Sequence, residues 1–259
     1  MSYKIRLQAI IVALAFLIFV PTAAHASEIK GFFPAALRTA AVKMIPQFEA
    51  SSGNKVSVEY GAVGALTNRL QNGELADVAI LSDSQIDDLQ KAGKVLPGTK
   101  VGIAKVGIGV FVAKGAAKPD IASPEAFKRM LTTAKSISFG NPANGVPAGI
   151  YLVALIERLG LTSEMKPKIV LAQSGPALFD SVAKGDVEIG FNQITEIMAE
   201  DKVQLVGPLP PEVQNYTRFA GGLVATSKQQ ELGRALLSFF GTPEAQSAMR
   251  MVGLEPLQE

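Results

Sequence analysis

The chain has 259 residues, with no cysteine, no tryptophan and a single histidine, His25. Without thiolates, neither disulfide bonds nor a cysteine nucleophile is available, so an apolar core must hold the fold together. A zinc site of the Cys/His kind is excluded for the same reason. If processing removes His25, a Ser-His-Asp triad and an imidazole base are excluded as well. Catalysis would then depend on carboxylates, amines, tyrosine or hydroxyl groups, and we expect no metal and no cofactor.

Residues 1–26 have the three parts of a secretory signal peptide. Lys4 and Arg6 precede an apolar run over residues 9–20, and small residues lead up to a cut after Ala26. An uncleaved membrane anchor is the alternative, but the run is shorter than the roughly 20 residues that span a bilayer. Because no cysteine is present for lipid attachment, we expect a mature periplasmic protein that is not embedded in the membrane.

Charge is balanced in the predicted mature chain. The full sequence has 25 basic and 23 acidic residues, and two of the basic ones lie in residues 1–26, so 23 of each remain. A neutral chain without a Lys/Arg run argues against nucleic-acid binding. Hydrophobic residues make up 48% of the sequence, which indicates a globular protein. The length suits two lobes of about 100 residues each, and we expect a monomer.

Short β-type runs alternate with amphipathic helical patterns along the mature chain. Strands are predicted at 28–33, 55–60, 77–81, 136–139, 169–172 and 187–191. A helix is predicted to begin with Pro34 in its first turn and to end at 51–53, with a kink or break at Pro46. Further helices are predicted at 64–70, 84–92, 148–159, 177–183, 228–240 and 242–251, and one opens at Ser123. Two β-rich segments, 101–112 and 216–226, interrupt this alternation.

The alternation predicts an α/β fold with two lobes, each a mostly parallel sheet flanked by helices. The two β-rich segments then form two crossings between the lobes. On this interpretation residues 27–108 and 230–259 form the first lobe, and residues 109–229 form the second.

Ligands of open α/β sheets bind at the carboxyl ends of the strands. Five loops follow predicted strands there: 33–38, 61–66, 140–151, 173–177 and 192–196. They are rich in glycine, proline, asparagine and small residues, which allows the backbone to approach a ligand closely. Such residues also form ordinary turns, and that alternative is open for each single loop.

Two features of these loops favour an anion. The loop Gly140 to Tyr151 leads into a helix start with asparagines beside it, an arrangement that cradles anions or simply forms a structural turn. Arg38 falls in a first helical turn, where cations are disfavoured. It either faces a carboxylate or points into solvent.

Four segments resemble the molybdate-binding proteins, two-lobed periplasmic solute-binding proteins that serve ABC importers. They are residues 29–40, LADVAILS at 75–82, VPAGIY at 146–151 and EIGF at 188–191. The resemblance covers most of the mature chain. It implies the type II periplasmic-binding-protein fold, a small anionic ligand in the cleft between the lobes, and an ABC transporter permease as partner.

The resemblance also implies which positions hold the ligand. Family members bind a tetrahedral oxyanion through two serine hydroxyls, a tyrosine hydroxyl and backbone N–H groups. The hydroxyl positions correspond here to Ala36, Val63 and Gln193, so all three hydroxyls are missing. Backbone groups around Ala148 and Ser174-Gly175 remain. Since each lost donor to a buried charge costs roughly 1.5–3 kcal/mol, we expect an anion other than molybdate.

The leading hypothesis is a binding protein that captures a small organic acid for an ABC importer. The alternative is an isomerase, because aconitate isomerase is similar to the same family; its base would be Glu196, Tyr151 or a lysine. A module that presents its ligand to another envelope protein is a third alternative. The candidate ligand-binding residues are Phe33, Ala36, Arg38, Val63, Gly64, Asn141, Asn144, Ala148, Tyr151, Ser174, Gly175, Asn192 and Gln193.

Overall fold

A computed structural model describes residues 27–257, and the predicted signal peptide lies outside them. The strands in this part of the chain are β1 (Glu28–Pro34), β2 (Lys55–Gly61), β3 (Val78–Ser82), β4 (Val101–Ala113), β5 (Ile137–Gly140), β6 (Ile169–Ala172), β7 (Ile189–Gln193), β8 (Val203–Pro208), β9 (Tyr216–Leu223) and β10 (Glu255–Pro256). The α-helices are α1 (Arg38–Ser52), α2 (Val63–Gln71), α3 (Asp83–Lys91), α4 (Pro124–Thr133), α5 (Pro147–Arg158), α6 (Thr162–Met165), α7 (Gly175–Ala183), α8 (Ile194–Met198), α9 (Gln230–Phe239) and α10 (Pro243–Arg250). None of the helices in residues 27–257 is long and apolar enough to cross a membrane.

Three helices begin at a hydroxyl side chain that is followed within two residues by proline. Ser123, Ser174 and Thr242 each accept a hydrogen bond from the backbone N–H three residues later. This cap satisfies one of the free N–H groups of the first turn, and the fixed φ of proline suits that turn. The sequence therefore sets the starts of α4, α7 and α10 locally.

The first lobe is built on a sheet with three parallel strands. β1 lies between β2 and β3, with Gly31 opposite both Val58 and Val78. β9 continues the sheet in the antiparallel direction, with Leu223 opposite Val78. Apolar side chains of α1, α2, α3, α9 and α10 share one core with these strands.

The second lobe repeats this arrangement on its own sheet. β5 lies between β6 and β7 and is parallel to both, with Ile137 opposite Ile169 and Ile189. β4 runs antiparallel to β7 and to β8. Apolar side chains of α4 to α8 cover this sheet in two further clusters.

β4 belongs to both sheets. Its residues 101–107 pair with β9 of the first sheet, and residues 108–113 pair with β7 and β8 of the second. The predicted α/β fold with two lobes joined by crossing segments is confirmed. The lobe boundaries stay a prediction; β9 lies in the range predicted for the second lobe, yet it pairs with β3 of the first.

Most predicted elements are present, and β6 has the predicted bounds. Of the two alternatives predicted at Pro46, a kink or a break, the break is wrong, because α1 continues through this residue to Ser52. Proline leaves the carbonyl four residues earlier, that of Val42, without its donor. Val42 is 62% exposed, so water can reach that carbonyl. The short elements β8, α6 and α8 were not predicted.

Candidate functional site

A cleft of about 580 Å³ lies between the lobes, at the ends of β1, β2, β5, β6 and β7. All five loops expected from the sequence meet there. The first lobe contributes Pro34, Ala35, Ala36, Arg38, Thr39, Tyr60, Gly61, Ala62 and Val63; the second contributes Gly140, Asn144, Val146, Pro147, Ala172, Gln173, Ser174, Gly175, Pro176, Leu178, Phe179, Asn192, Gln193, Glu196, Ala199 and Glu200. The volume falls within the range of about 300–1,000 Å³ that is usual for small-molecule sites.

The three positions that correspond to the oxyanion hydroxyls all line the cleft. Ala36 and Val63 are buried and present apolar surface. Gln193 is only 5% exposed, and no residue within 27–257 hydrogen-bonds its side-chain amide. The amide reaches the surface of the cleft, so Gln193 can hydrogen-bond with a ligand there.

Arg38 is the first residue of α1, and its side chain lines the cleft. Its guanidinium carbon lies 4.8 Å from the centre of the Tyr60 ring. Among residues 27–257, no carboxylate lies within ion-pair distance of it. The start of a helix carries partial positive charge and does not neutralise a cation. The sequence left open whether Arg38 faces a carboxylate or solvent. In the structure the side chain is exposed at the edge of the cleft, and it has no carboxylate partner within residues 27–257.

Glu196 faces the cleft from the first turn of α8. Its Oε2 accepts a hydrogen bond of 3.3 Å from the side-chain amide of Asn192, and a Cβ built on Gly175 would lie 3.8 Å from that oxygen. Desolvation raises the pKa of Glu196 to about 7, although the bond from Asn192 and the charge of Arg38 act in the opposite direction. This carboxyl group can therefore gain or lose a proton near neutral pH.

Further donors come from the second lobe. The Ser174 hydroxyl accepts from the Ala177 N–H at 3.3 Å, which leaves its own proton free for a ligand, and Gly175 follows it at the start of α7. Within residues 27–257, no three His, Cys, Asp or Glu side chains are grouped to hold a metal ion.

The two predicted asparagines of the loop after β5 have different surroundings. Asn141 accepts a bond of 3.0 Å from the Ala143 N–H and closes a tight turn, so it acts within the loop and does not line the cleft. Asn144 lines the cleft and donates to the backbone carbonyl of Gln173 at 3.4 Å. Asn141 and Asn144 also each reach the side chain of Gln173, which ties the loop to the strand end beside it.

Gly64 forms a contact between the lobes. A Cβ on Gly64 would lie 2.4 Å from the carbonyl oxygen of Asn144 and 2.8 Å from Cα of Gly145. Gly145 itself has φ of 67°, a backbone conformation that favours glycine. The start of α2 and the loop after β5 thus approach more closely than side chains would allow.

Three further candidate residues are turned away from the cleft. Phe33 is fully buried and packs edge-on against Tyr60 and Phe240. Ala148 is buried in the second core. The Tyr151 hydroxyl donates to the carbonyl of Val213 at 2.9 Å and accepts from Arg158, because α5 directs this side chain toward the turn at 211–213. None of the three side chains lines the cleft.

Sequence reasoning missed Tyr60, which lines the cleft beneath Arg38. The available signal was its place as an aromatic residue next to the carboxyl end of β2. Glu196 was named only as one of several candidate bases. Its distinguishing property, a half-buried carboxyl group desolvated beside a cleft, depends on how α8 packs and has no local sequence signal.

Two lobes that enclose a cleft at the carboxyl ends of their strands define the class of solute-binding proteins. The sequence model of bacterial extracellular solute-binding proteins matches residues 29–255. The chain belongs to this family.

Its relatives include an enzyme and a binding protein. The chain is 31% identical over 221 residues to an aconitate isomerase of Pseudomonas sp, covering 83% of this chain and 82% of that protein. It is 25% identical over 236 residues to a molybdate-binding protein of Azotobacter vinelandii, covering 89% and 91%. The solved periplasmic molybdate-binding protein of the same organism has a TM-score of 0.72 at 19% identity, over 87% of this chain and 98% of that one. The resemblance to molybdate-binding proteins is confirmed.

Proposed function

We propose that the protein captures a small organic acid in the cleft between its lobes. The unpaired guanidinium of Arg38 carries this proposal. A planar guanidinium binds a carboxylate through two parallel hydrogen bonds, and such charge-assisted bonds are stronger than neutral ones. The unbonded amide of Gln193 and the hydroxyl of Ser174 supply further donors for the same ligand.

The chemistry of the cleft favours an organic anion over molybdate. A tetrahedral oxyanion needs donors around its whole surface, but Ala36 and Val63 present methyl groups. Those methyl groups can instead contact the carbon skeleton of an organic acid. The cleft of about 580 Å³ also has room for a ligand with several carboxylates.

A periplasmic location is supported by the predicted signal peptide and by the extracellular character of the family. In that compartment the captured acid would pass to the permease of an ABC importer, and the protein would act as a monomer. This is the arrangement implied by the resemblance to molybdate-binding proteins.

A thermal-shift screen of residues 27–259 tests the proposal. The panel should contain mono-, di- and tricarboxylates together with molybdate, tungstate and sulfate. We expect at least one carboxylate to raise Tm in a concentration-dependent way. Stabilisation by molybdate or tungstate and by no carboxylate would overturn the proposal.

An isomerase is the second candidate function. Glu196 favours it, because a charged carboxylate facing an anionic ligand would repel it, whereas a carboxyl group with a pKa of about 7 can exchange a proton with the ligand. The sequence identity of 31% to an aconitate isomerase also supports an isomerase function.

The enzymatic candidate has a direct assay. The mature protein is incubated with cis-aconitate, and trans-aconitate is followed by its absorbance. Conversion in proportion to protein concentration would support an isomerase. No conversion at high protein concentration would leave binding as the function.

A further inference from the structure

Glu196 is placed as a reacting group would be, on the surface of the cleft. The cleft brings it together with Arg38 on the opposite lobe and with Gln193 at the end of β7. Its only side-chain hydrogen bond within residues 27–257 comes from the amide of Asn192, at 3.3 Å. Gly175 lies beside its Oε2, since an added Cβ there would be in ordinary van der Waals contact with that oxygen, at 3.8 Å.

No cation pairs with Glu196 within residues 27–257, so its charged form lacks a close counter-ion. Arg38 is near enough to favour the charged form in part, yet desolvation outweighs it and the pKa rises to about 7. A carboxyl group with these neighbours is suited to accept a proton from a carbon acid and to return it.

The other cleft residues complement such a step. Removing a proton from the carbon next to a carboxylate moves negative charge onto the carboxylate oxygens. The guanidinium of Arg38 and the amide of Gln193 are the unpaired donors available to hold that charge. The hydrogen bond from the Asn192 amide keeps the Glu196 carboxyl group oriented during the proton transfer.

We propose that Glu196 is the catalytic acid–base residue of a proton shift in a bound unsaturated polycarboxylate. Its carboxylate takes a proton from the saturated carbon between a carboxylate and the double bond. The C–H electron pair forms a new double bond, and the old double bond moves its electrons toward the other arm. Glu196 then gives the proton to the carbon at the far end. No atom is gained or lost, nothing is oxidised, and the carboxylate is regenerated.

This inference rests on the proposed binding of an organic acid, and one experiment separates the two. Wild type, Glu196→Gln, Glu196→Asp and the exposed control Glu157→Gln are compared. Binding is measured by calorimetry with propane-1,2,3-tricarboxylate, a saturated probe without an allylic hydrogen. Turnover of cis-aconitate is measured across pH, and in D₂O by following deuterium in the ligand.

We expect all four proteins to bind the saturated probe within about threefold of each other. Glu196→Gln should lose at least 100-fold in conversion, Glu196→Asp should retain part of it, and Glu157→Gln should match wild type. The wild-type rate should rise with pH through the titration of Glu196, and Glu196→Gln should lack this rise.

Three results would contradict the assignment. If wild type binds the tricarboxylate but neither converts cis-aconitate nor exchanges its protons, binding stands and the catalytic role is wrong. If Glu196→Gln converts as fast as wild type, another residue moves the proton. If no carboxylate binds at all, the proposed function fails together with the inference.

Discussion

The protein has one group of charged side chains on the outside of the first lobe and another in the cleft. The two groups differ in whether their members form ion pairs. The outer charge cluster consists of Lys30, Glu59, Arg69 and Glu74 around the ring of Phe32. Lys30 lies 2.5 Å from Glu59, and Arg69 binds both glutamates. The hydrogen bond from Arg69 is the main cause that lowers the pKa of Glu74 to about 2. Every charge in this cluster has an opposite partner.

The cleft charges, Arg38 and Glu196, lack such partners within residues 27–257. Arg38 stacks on Tyr60 alone, and the pKa of Glu196 rises where that of Glu74 falls. A protein that builds a complete ion-pair cluster on its surface has left Arg38 and Glu196, which have opposite charges, without an ion pair in its cleft, where Glu200 also has none within residues 27–257. This difference indicates that the cleft charges bind a ligand, whereas the outer charge cluster stabilises the fold.

The largest expected effect is on ligand binding. Arg38→Gln should weaken the binding of a stabilising carboxylate by about 10- to 150-fold, because it removes a charged hydrogen bond worth about 1.5–3 kcal/mol. Lys43→Gln, on an exposed position of the same helix, is the matched control and should leave affinity unchanged. Calorimetry with both variants makes the comparison. Equal affinities for wild type and Arg38→Gln would show that the Arg38 guanidinium does not bind the ligand.

A second variant tests whether ligand binding in the cleft needs the close contact between the two lobes at Gly64. Gly64→Val should prevent the approach of α2 to the loop after β5, since its Cβ would fall within 2.4 Å of the Asn144 oxygen. We expect about 10-fold weaker binding and loss of the ligand-induced compaction seen by solution scattering. Ala65→Val, an exposed neighbour on α2, should keep both. Normal compaction in Gly64→Val would mean that closure does not need this contact.

A smaller effect is expected on the pH dependence of the free energy of unfolding, through Glu196. The folded protein raises the pKa of Glu196 from 4.5 to about 7, so it binds this proton more tightly than the unfolded chain does. The free energy of unfolding should therefore decrease as pH rises from about 4.5 to about 7. Glu196→Gln should be more stable than wild type at pH 8 by on the order of 3 kcal/mol, and equal to it at pH 4. Urea unfolding at both pH values, with Glu157→Gln as control, measures the difference.

The smallest effect belongs to the outer charge cluster. Exposed ion pairs contribute little to stability, so Glu74→Gln should lower Tm by no more than a few degrees and leave ligand affinity unchanged. Because its pKa is lowered on folding, the contribution of Glu74 should be present above pH 4.5 and disappear as pH falls toward 2. A large loss of affinity in Glu74→Gln would remove the distinction between the two groups of charges.

The fold was predictable from sequence because its signals are local. The hydroxyl-proline starts at Ser123 and Ser174 place helices, and the apolar run of β6 has its predicted bounds. The candidate site was predictable only as a set of loops. Tyr151 follows a loop of the expected kind, yet its hydroxyl bonds to Val213, a residue 62 positions away. Such a partner depends on packing between distant segments and leaves no local pattern.

The pairing of β9 with β3 has a consequence for vectorial folding. The open side of β3 is covered by β9, whose residues emerge more than one hundred positions later in the chain. Until they arrive, β3 exposes an unpaired edge, the kind of surface that invites aggregation. The first lobe therefore begins the chain but cannot finish before the second has emerged. A nascent molecule that stalls between β3 and β9 would need a chaperone more than the completed protein does.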